Sequence, residues 1–193
     1  YEQVKKQSEE AAWLLKLWGY LDHGELWYGL VANATRLPEG INTPVWLLSI
    51  AEDELEYADA VRILSRYSLV DRREDTNTHS MHSVLHQWCG QLAEGKEQQR
   101  ALGRIAVEIV ASHVPSEDEQ DFYRKRKRLL QHAIGVSRWL IKTNLVEEEE
   151  TGVGMIQGPT YYNLGYLLAE EDRQKAEKMY QRALQGYEKA WGP

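Results

Sequence analysis

The chain holds one cysteine, Cys89, one phenylalanine and five prolines among 193 residues. A single thiol excludes an internal disulfide framework and fits a reducing compartment, so a cytoplasmic protein is expected. Long apolar runs are missing as well. Residues 45–51, with one serine among them, fall far short of the roughly 20 residues that a membrane-spanning helix needs. No charged-then-apolar signal segment opens the sequence, and it starts at Tyr1 without a methionine. It reads as a piece of something longer. Positive charge is also scarce: the formal net charge of −7 argues against a general nucleic-acid binder, since phosphate contacts need clustered cations, although local basic patches stay open.

Several chemistries have no motif here. There is no Gly-x-x-x-x-Gly-Lys-Ser/Thr loop, and Gly152-x-Gly154 lacks both the lysine and a preceding strand. No Gly-x-Ser-x-Gly elbow and no His-Glu-x-x-His pair occurs. Cys89 falls inside a helical pattern beside Trp88 and Leu92, which suits a small buried apolar residue better than a nucleophile.

What is present is a globular, mainly α-helical pattern with 42% apolar residues, enough for one good core or two small ones. Ser8 before Glu9 and Glu10 marks a helix start, followed by Ala11, Leu14, Leu15, Trp18 and Leu21 at helical spacing. Leu26, Trp27, Leu30, Val31 and Ala34 make a second stripe that closes at residues 37–40. Thr43 before Pro44 reads as an N-cap with proline at the first helical position of a third helix. An acidic start at residues 52–54 leads a fourth, with Tyr57, Ala60, Val61 and Leu64 on one face.

Residues 67–89 carry the most information. Residues 67–70 alternate polar and apolar, residues 71–77 are rich in turn and charged types, and residues 78–81 can pair back, which predicts a hairpin. From Val84 the apolar residues Val84, Leu85, Trp88 and Leu92 recur at helical spacing, with Ser83 the candidate N-cap. His82 then stands where an extended segment becomes a helix, and a histidine proton there can face an anion. The alternative for His82 is that it caps or packs beside a helix end.

Further on, Leu102, Ile105, Ala106, Ile109 and Val110 define a helix that stops near Pro115, and residues 122–141 another with Leu129, Ala133, Val136 and Leu140 inward. The run Arg124-Lys125-Arg126-Lys127-Arg128 reads as a solvated face neutralised by Glu117, Asp118, Glu119 and Asp121, because five successive residues spread around a helix. The acidic run 147–150 and the glycines at 152, 154 and 158 mark a flexible boundary. His79, His82, His86 and Cys89 include chelating helical separations, but His79 lies across the hairpin junction and metal binding is not the preferred reading. Seven tryptophans and eleven tyrosines fall mostly on apolar stripes, which points to packing and not to a carbohydrate site.

The segment Met81-His82-Ser83-Val84-Leu85-His86-Gln87-Trp88-Cys89 resembles the Met-His-Asp motif in the winged-helix part of NB-ARC signalling NTPases of the NOD-like receptor (STAND) type. The similarity is greatest to fungal members, where a Met-His-x-Val-x-His-x-Trp-Cys version precedes tetratricopeptide repeats of the kinesin-light-chain kind. Residues 128–133 resemble the connection between the two parts in that family. Residues 176–190, with Leu164-Gly165 before them and Ala176, Tyr180 and Ala183 in small, aromatic, small spacing, resemble a first repeat whose inter-helix turn is one residue short. The resemblance implies a winged-helix domain at 1–95, a helical connector at 96–146, a linker at 147–159 and a repeat at 160–193. It implies that His82 contacts the β-phosphate of ADP held by a nucleotide-binding domain in the intact protein, and that the repeats meet a protein partner. Ser83 stands where the motif has an acid. The expected function is regulatory and non-catalytic, with no cofactor held by this chain alone and ADP or ATP implied for the whole protein. A lone repeat would also favour self-association. Two other readings stand beside it. One is a winged-helix DNA-binding protein using the basic run 124–128 or the wing's Arg72 and Arg73 on phosphates, and the other a peptide-binding repeat scaffold with no nucleotide link.

Overall fold

The computed structural model describes residues 1–38, 41–143 and 156–192. It is mainly α-helical, with ten α-helices and one two-stranded antiparallel sheet among the described residues. The chain divides into two compact units, the first formed by Tyr1–Leu37 and Asn42–Ala106 and the second by Pro38–Ile41 and Val107–Pro193. The sequence places a boundary at 147–159. The acidic run 147–150 and the glycines at 152 and 154 lie outside the described residues, as do residues 39 and 40 of the expected second turn and Pro193.

The first unit starts with α1 (Glu2–Gln7), which the sequence reading did not anticipate, and α2 (Glu9–Trp18). Ser8 is the N-cap of α2, its Oγ accepting from the Ala11 amide at 2.9 Å, and Glu9 and Glu10 occupy the positive end of the helix dipole. The expected second helical stripe is broken up. Leu26 is extended and bridges to His79, α3 is only Tyr28–Ala32, and a 3₁₀ turn, Asn33–Arg36, completes it. Pro44, and not Thr43, caps α4 (Val45–Glu52): with ψ 147° it is still extended, and its carbonyl accepts from the Leu47 and Leu48 amides. Asp53 caps α5 (Glu54–Arg66) through Leu55 N at 2.8 Å, and Tyr57, Ala60, Val61 and Leu64 are buried as their spacing requires.

The helices pack α2 against α1, α4, α5 and α6 (Ser83–Cys89), and α4 against α3 and α5. Leu14, Leu15, Leu17, Trp18, Leu26, Leu47, Ile50 and Leu64 fill the centre. Trp18 meets Tyr57 edge-on at 6.4 Å and Trp13 stacks on Trp46 at 5.8 Å, so these aromatics serve packing.

The second unit contains the C-terminal part of α7 (Gly95–Ser112), then α8 (Phe122–Thr143), α9 (Gly158–Leu168) and α10 (Arg173–Trp191). Leu129, Ala133, Val136 and Leu140 of α8 are buried as expected. Gly158, read from sequence as linker, instead begins α9. It lies under the Tyr187 ring, 3.0 Å from where a Cβ would stand. Gly165 sits against the Tyr180 ring and Gly186 against the Gly158 backbone, so glycine lets α9 and α10 approach closely at three places.

Candidate functional site

The site around His82 is built by the hairpin and by α6. Tyr67 ends α5, and Ser68, with φ 54°, turns the chain back so that the Leu69 amide donates to the Leu64 carbonyl. The first strand is therefore not residues 67–70, which the α5 terminus consumes. It is β1, Asp71–Arg73, paired with β2, Thr78–Ser80, in the register Asp71↔Ser80, Arg72↔His79 and Arg73↔Thr78. The other edge of β2 is held by Leu26, which exchanges two backbone hydrogen bonds with His79 at 2.6 and 2.8 Å. One residue past the strand, the Met81 amide donates to the His23 carbonyl at 2.8 Å.

Those bonds fix where α6 begins. The N-cap is His82 itself and not Ser83: its Nδ1 accepts from the Val84 amide at 3.3 Å, while Ser83 is the first helical residue and exposed. With Nδ1 accepting, a neutral ring carries its proton on Nε2. The inner face of α6 is anchored at four points. Met81 is buried, Cys89 lies 3.7 Å from the Met81 sulfur, and His86 Nε2 bonds the Leu21 carbonyl at 2.8 Å. The fourth is Gly90, whose amide nitrogen stands 2.6 Å from the place of a Cβ on Gly19. The outer face carries His82, Ser83, Val84, Gln87 and Trp88, all exposed. Val84 and Trp88 were expected inward with Leu85. The contacts of Met81 and Cys89 turn their side of a seven-residue helix outward instead, and Trp88 meets the Tyr1 ring edge-on at 6.5 Å.

The other candidates separate from His82. His79 is half-buried. Burial, with Arg72 beside it, holds its pKa below the ordinary value against the opposing effect of the Leu26 backbone contact. Burial pushes the Cys89 thiol up to about 12, which disfavours the thiolate form in the folded state. Among the described residues no three His, Cys, Asp or Glu side chains are grouped to hold a metal ion. The basic run is largely tied to carboxylates: Arg124 pairs with Asp121 at 2.8 Å, Lys125 with Glu119, and Arg126 with Glu170 at 2.8 Å. Arg126 also lies over the Tyr166 ring.

Two buried charged-type residues escaped the sequence reading. Lys16 is 2% exposed, its Nζ 4.5 Å from the Trp13 ring centroid and 3.0 Å from Gln98 Oε1. Glu108 is 2% exposed on α7. A signal existed for both: Lys16 stands between Leu15 and Leu17, and Glu108 between Val107 and Ile109, each inside a stripe that leaves no polar face.

Among the described residues no helix is long and apolar enough to cross a membrane. No protein-family model, curated protein or solved structure matches the chain.

Proposed function

We propose that this chain is the regulatory, non-catalytic part of a nucleotide-switched signalling NTPase of the NB-ARC, NOD-like receptor type, with His82 reporting bound ADP. The observation that carries the reading is the state of His82 within the Met-His-Ser segment. Its neighbours Met81, His86 and Cys89 anchor the helix, whereas His82 is exposed, oriented by the Val84 amide and left with Nε2 for an outside acceptor. Further support comes from the order of elements. Helices, a strand-like residue at Leu26, more helices and then the β1–β2 hairpin follow the order of a winged-helix domain, and α9 and α10 pair as a repeat would. Since His82 caps α6, Ser83 has no capping duty, which fits the loss of the acid at that position.

His82 supplies one donor and not a nucleotide site. The phosphate-cradling loop, its lysine and a magnesium site have no counterpart in this sequence, so calorimetry on the chain alone is expected to show neither ADP binding nor ATP hydrolysis. In the intact protein a hydrogen bond to a charged phosphate is worth about 1.5–3 kcal/mol, and a contact made only in the closed state shifts the equilibrium by its full value. His82→Ala is therefore expected to speed ADP release about tenfold to a hundredfold, whereas His86→Ala, which loses the Leu21 bond, acts on packing. Fluorescence-detected ADP dissociation from full-length protein tests this. Unchanged release from a folded His82→Ala variant would overturn the sensor role.

A further inference from the structure

In α7, residues 107–111 are all buried, and five successive residues cover every side of a helix. Glu108 is among them. Its Oε2 accepts from the Thr160 hydroxyl at 2.8 Å, and its Oε1 has no hydrogen-bond partner among the described residues. One turn further on, Asn163 Nδ2 donates to the Ala111 carbonyl at 3.0 Å. These two polar contacts tie α9 to α7, while α8 packs on α9 as well and its Arg126 donates to the Tyr166 carbonyl. Glycines 158 and 165 in turn hold α10 against α9, so the seat of α9 is also the seat of the helix pair.

We propose that the α9–α10 pair is a proton-linked element, seated on α7 while Glu108 is neutral and released when Glu108 ionises. The physical reason is the bare oxygen. A neutral carboxyl shares one hydrogen bond with Thr160 and leaves little charge on Oε1, but a carboxylate places a full charge in a buried site with half its acceptor capacity unused. Lifting α9 lets water reach it. Titratable side chains with buried polar atoms on α7 to α10 include Arg104, Arg128, Tyr161 and Arg182, and His132 of α8 is fully buried. Among the described residues none of them hydrogen-bonds the Glu108 carboxyl. Burial raises its pKa to about 7, and the Thr160 hydroxyl opposes that rise. The change therefore falls near neutral pH, and it is independent of the nucleotide reading of His82.

The test uses the full 193-residue chain. Carboxyl carbon NMR follows Glu108 between pH 4 and 9, and hydrogen exchange of the α9 amides, divided by the intrinsic rate, follows opening. Glu108 is expected to titrate near neutrality. The α9 opening constant should rise up to about tenfold per pH unit between about pH 4.5 and that midpoint and level off above it, and E108Q should remove the rise. T160V should move the midpoint upward, because it removes the bond that favours the charged form. Titration of Glu108 in the ordinary carboxylate range would overturn the proposal, as would an α9 opening that depends on pH identically in E108Q.

Discussion

Gly19 and Cys89 are the residues whose surroundings allow the sharpest statements. A Cβ on Gly19 would stand 2.6 Å from the Gly90 nitrogen and 2.8 Å from the Cys89 carbonyl carbon, backbone atoms that can yield only if α6 moves. Gly19→Ala is expected to destabilise the first unit by about 1–3 kcal/mol, the range for overpacking. Gly90→Ala is the control. Its Cβ would meet the Gly19 oxygen at an ordinary 3.5 Å, its φ of −61° suits any residue, and a change within about 0.5 kcal/mol is expected by urea denaturation. Equal effects from the two would refute the close-approach argument. For Cys89, burial and a thiol pushed up to about 12 mean that an aromatic disulfide reagent at pH 8 should react at least about a hundredfold more slowly with native than with denatured chain.

At the scale of elements, the α7–α9 seat governs how stability follows pH. The Glu108 carboxyl titrates near 4.5 when unfolded and near 7 when folded, so the folded state holds the extra proton between those values. Its contribution is fully present below about pH 4.5 and lost as pH rises through about 7, a change of roughly 3 kcal/mol. Asp172 works in the opposite direction. The Lys175 ammonium and the Lys175 amide hold its carboxyl below the ordinary value, so the α10 cap weakens as pH falls through the acidic range. Thermal melts from pH 4 to 8 are expected to show the second unit losing stability toward pH 8. A flat profile in E108Q, against a sloping one in the parent, would attribute that loss to this carboxyl.

Over the whole molecule, charge and exposed apolar surface act against each other. A net charge of −7 repels copies, while the end of α9 and α10 form an open groove in which Ala169, Ala176, Tyr180 and Leu184 lie among Arg173, Glu177 and Gln181, Leu184 being 58% exposed. Weak self-association through that groove is expected, growing with added salt as the repulsion is screened. Light scattering at rising concentration, with Leu184→Glu as comparison, measures it. A parent chain that stays monomeric at high salt would refute it.

Helices such as α2, α5 and α8 were legible in the sequence because their causes are local. Ser8 and Asp53 cap the helices that follow them, and the apolar spacing of α5 and of α8 names the faces that are buried. The hairpin and the place of His82 at a helix start were legible for the same reason. Tertiary contacts decided the rest. The strand begins at Asp71 because the α5 terminus takes the preceding residues, and the Leu26–His79 and His23–Met81 bonds, between residues more than fifty positions apart, set where α6 starts. They also decide that Trp88 faces out and that His82, not Ser83, is the cap. A seven-residue helix has too few apolar positions to choose its own buried side, so its neighbours choose it. Glu108 belongs with these cases. Its place in an apolar stripe was visible, but whether a carboxyl there is hydrated or enclosed depends on Thr160, fifty-two residues along the chain.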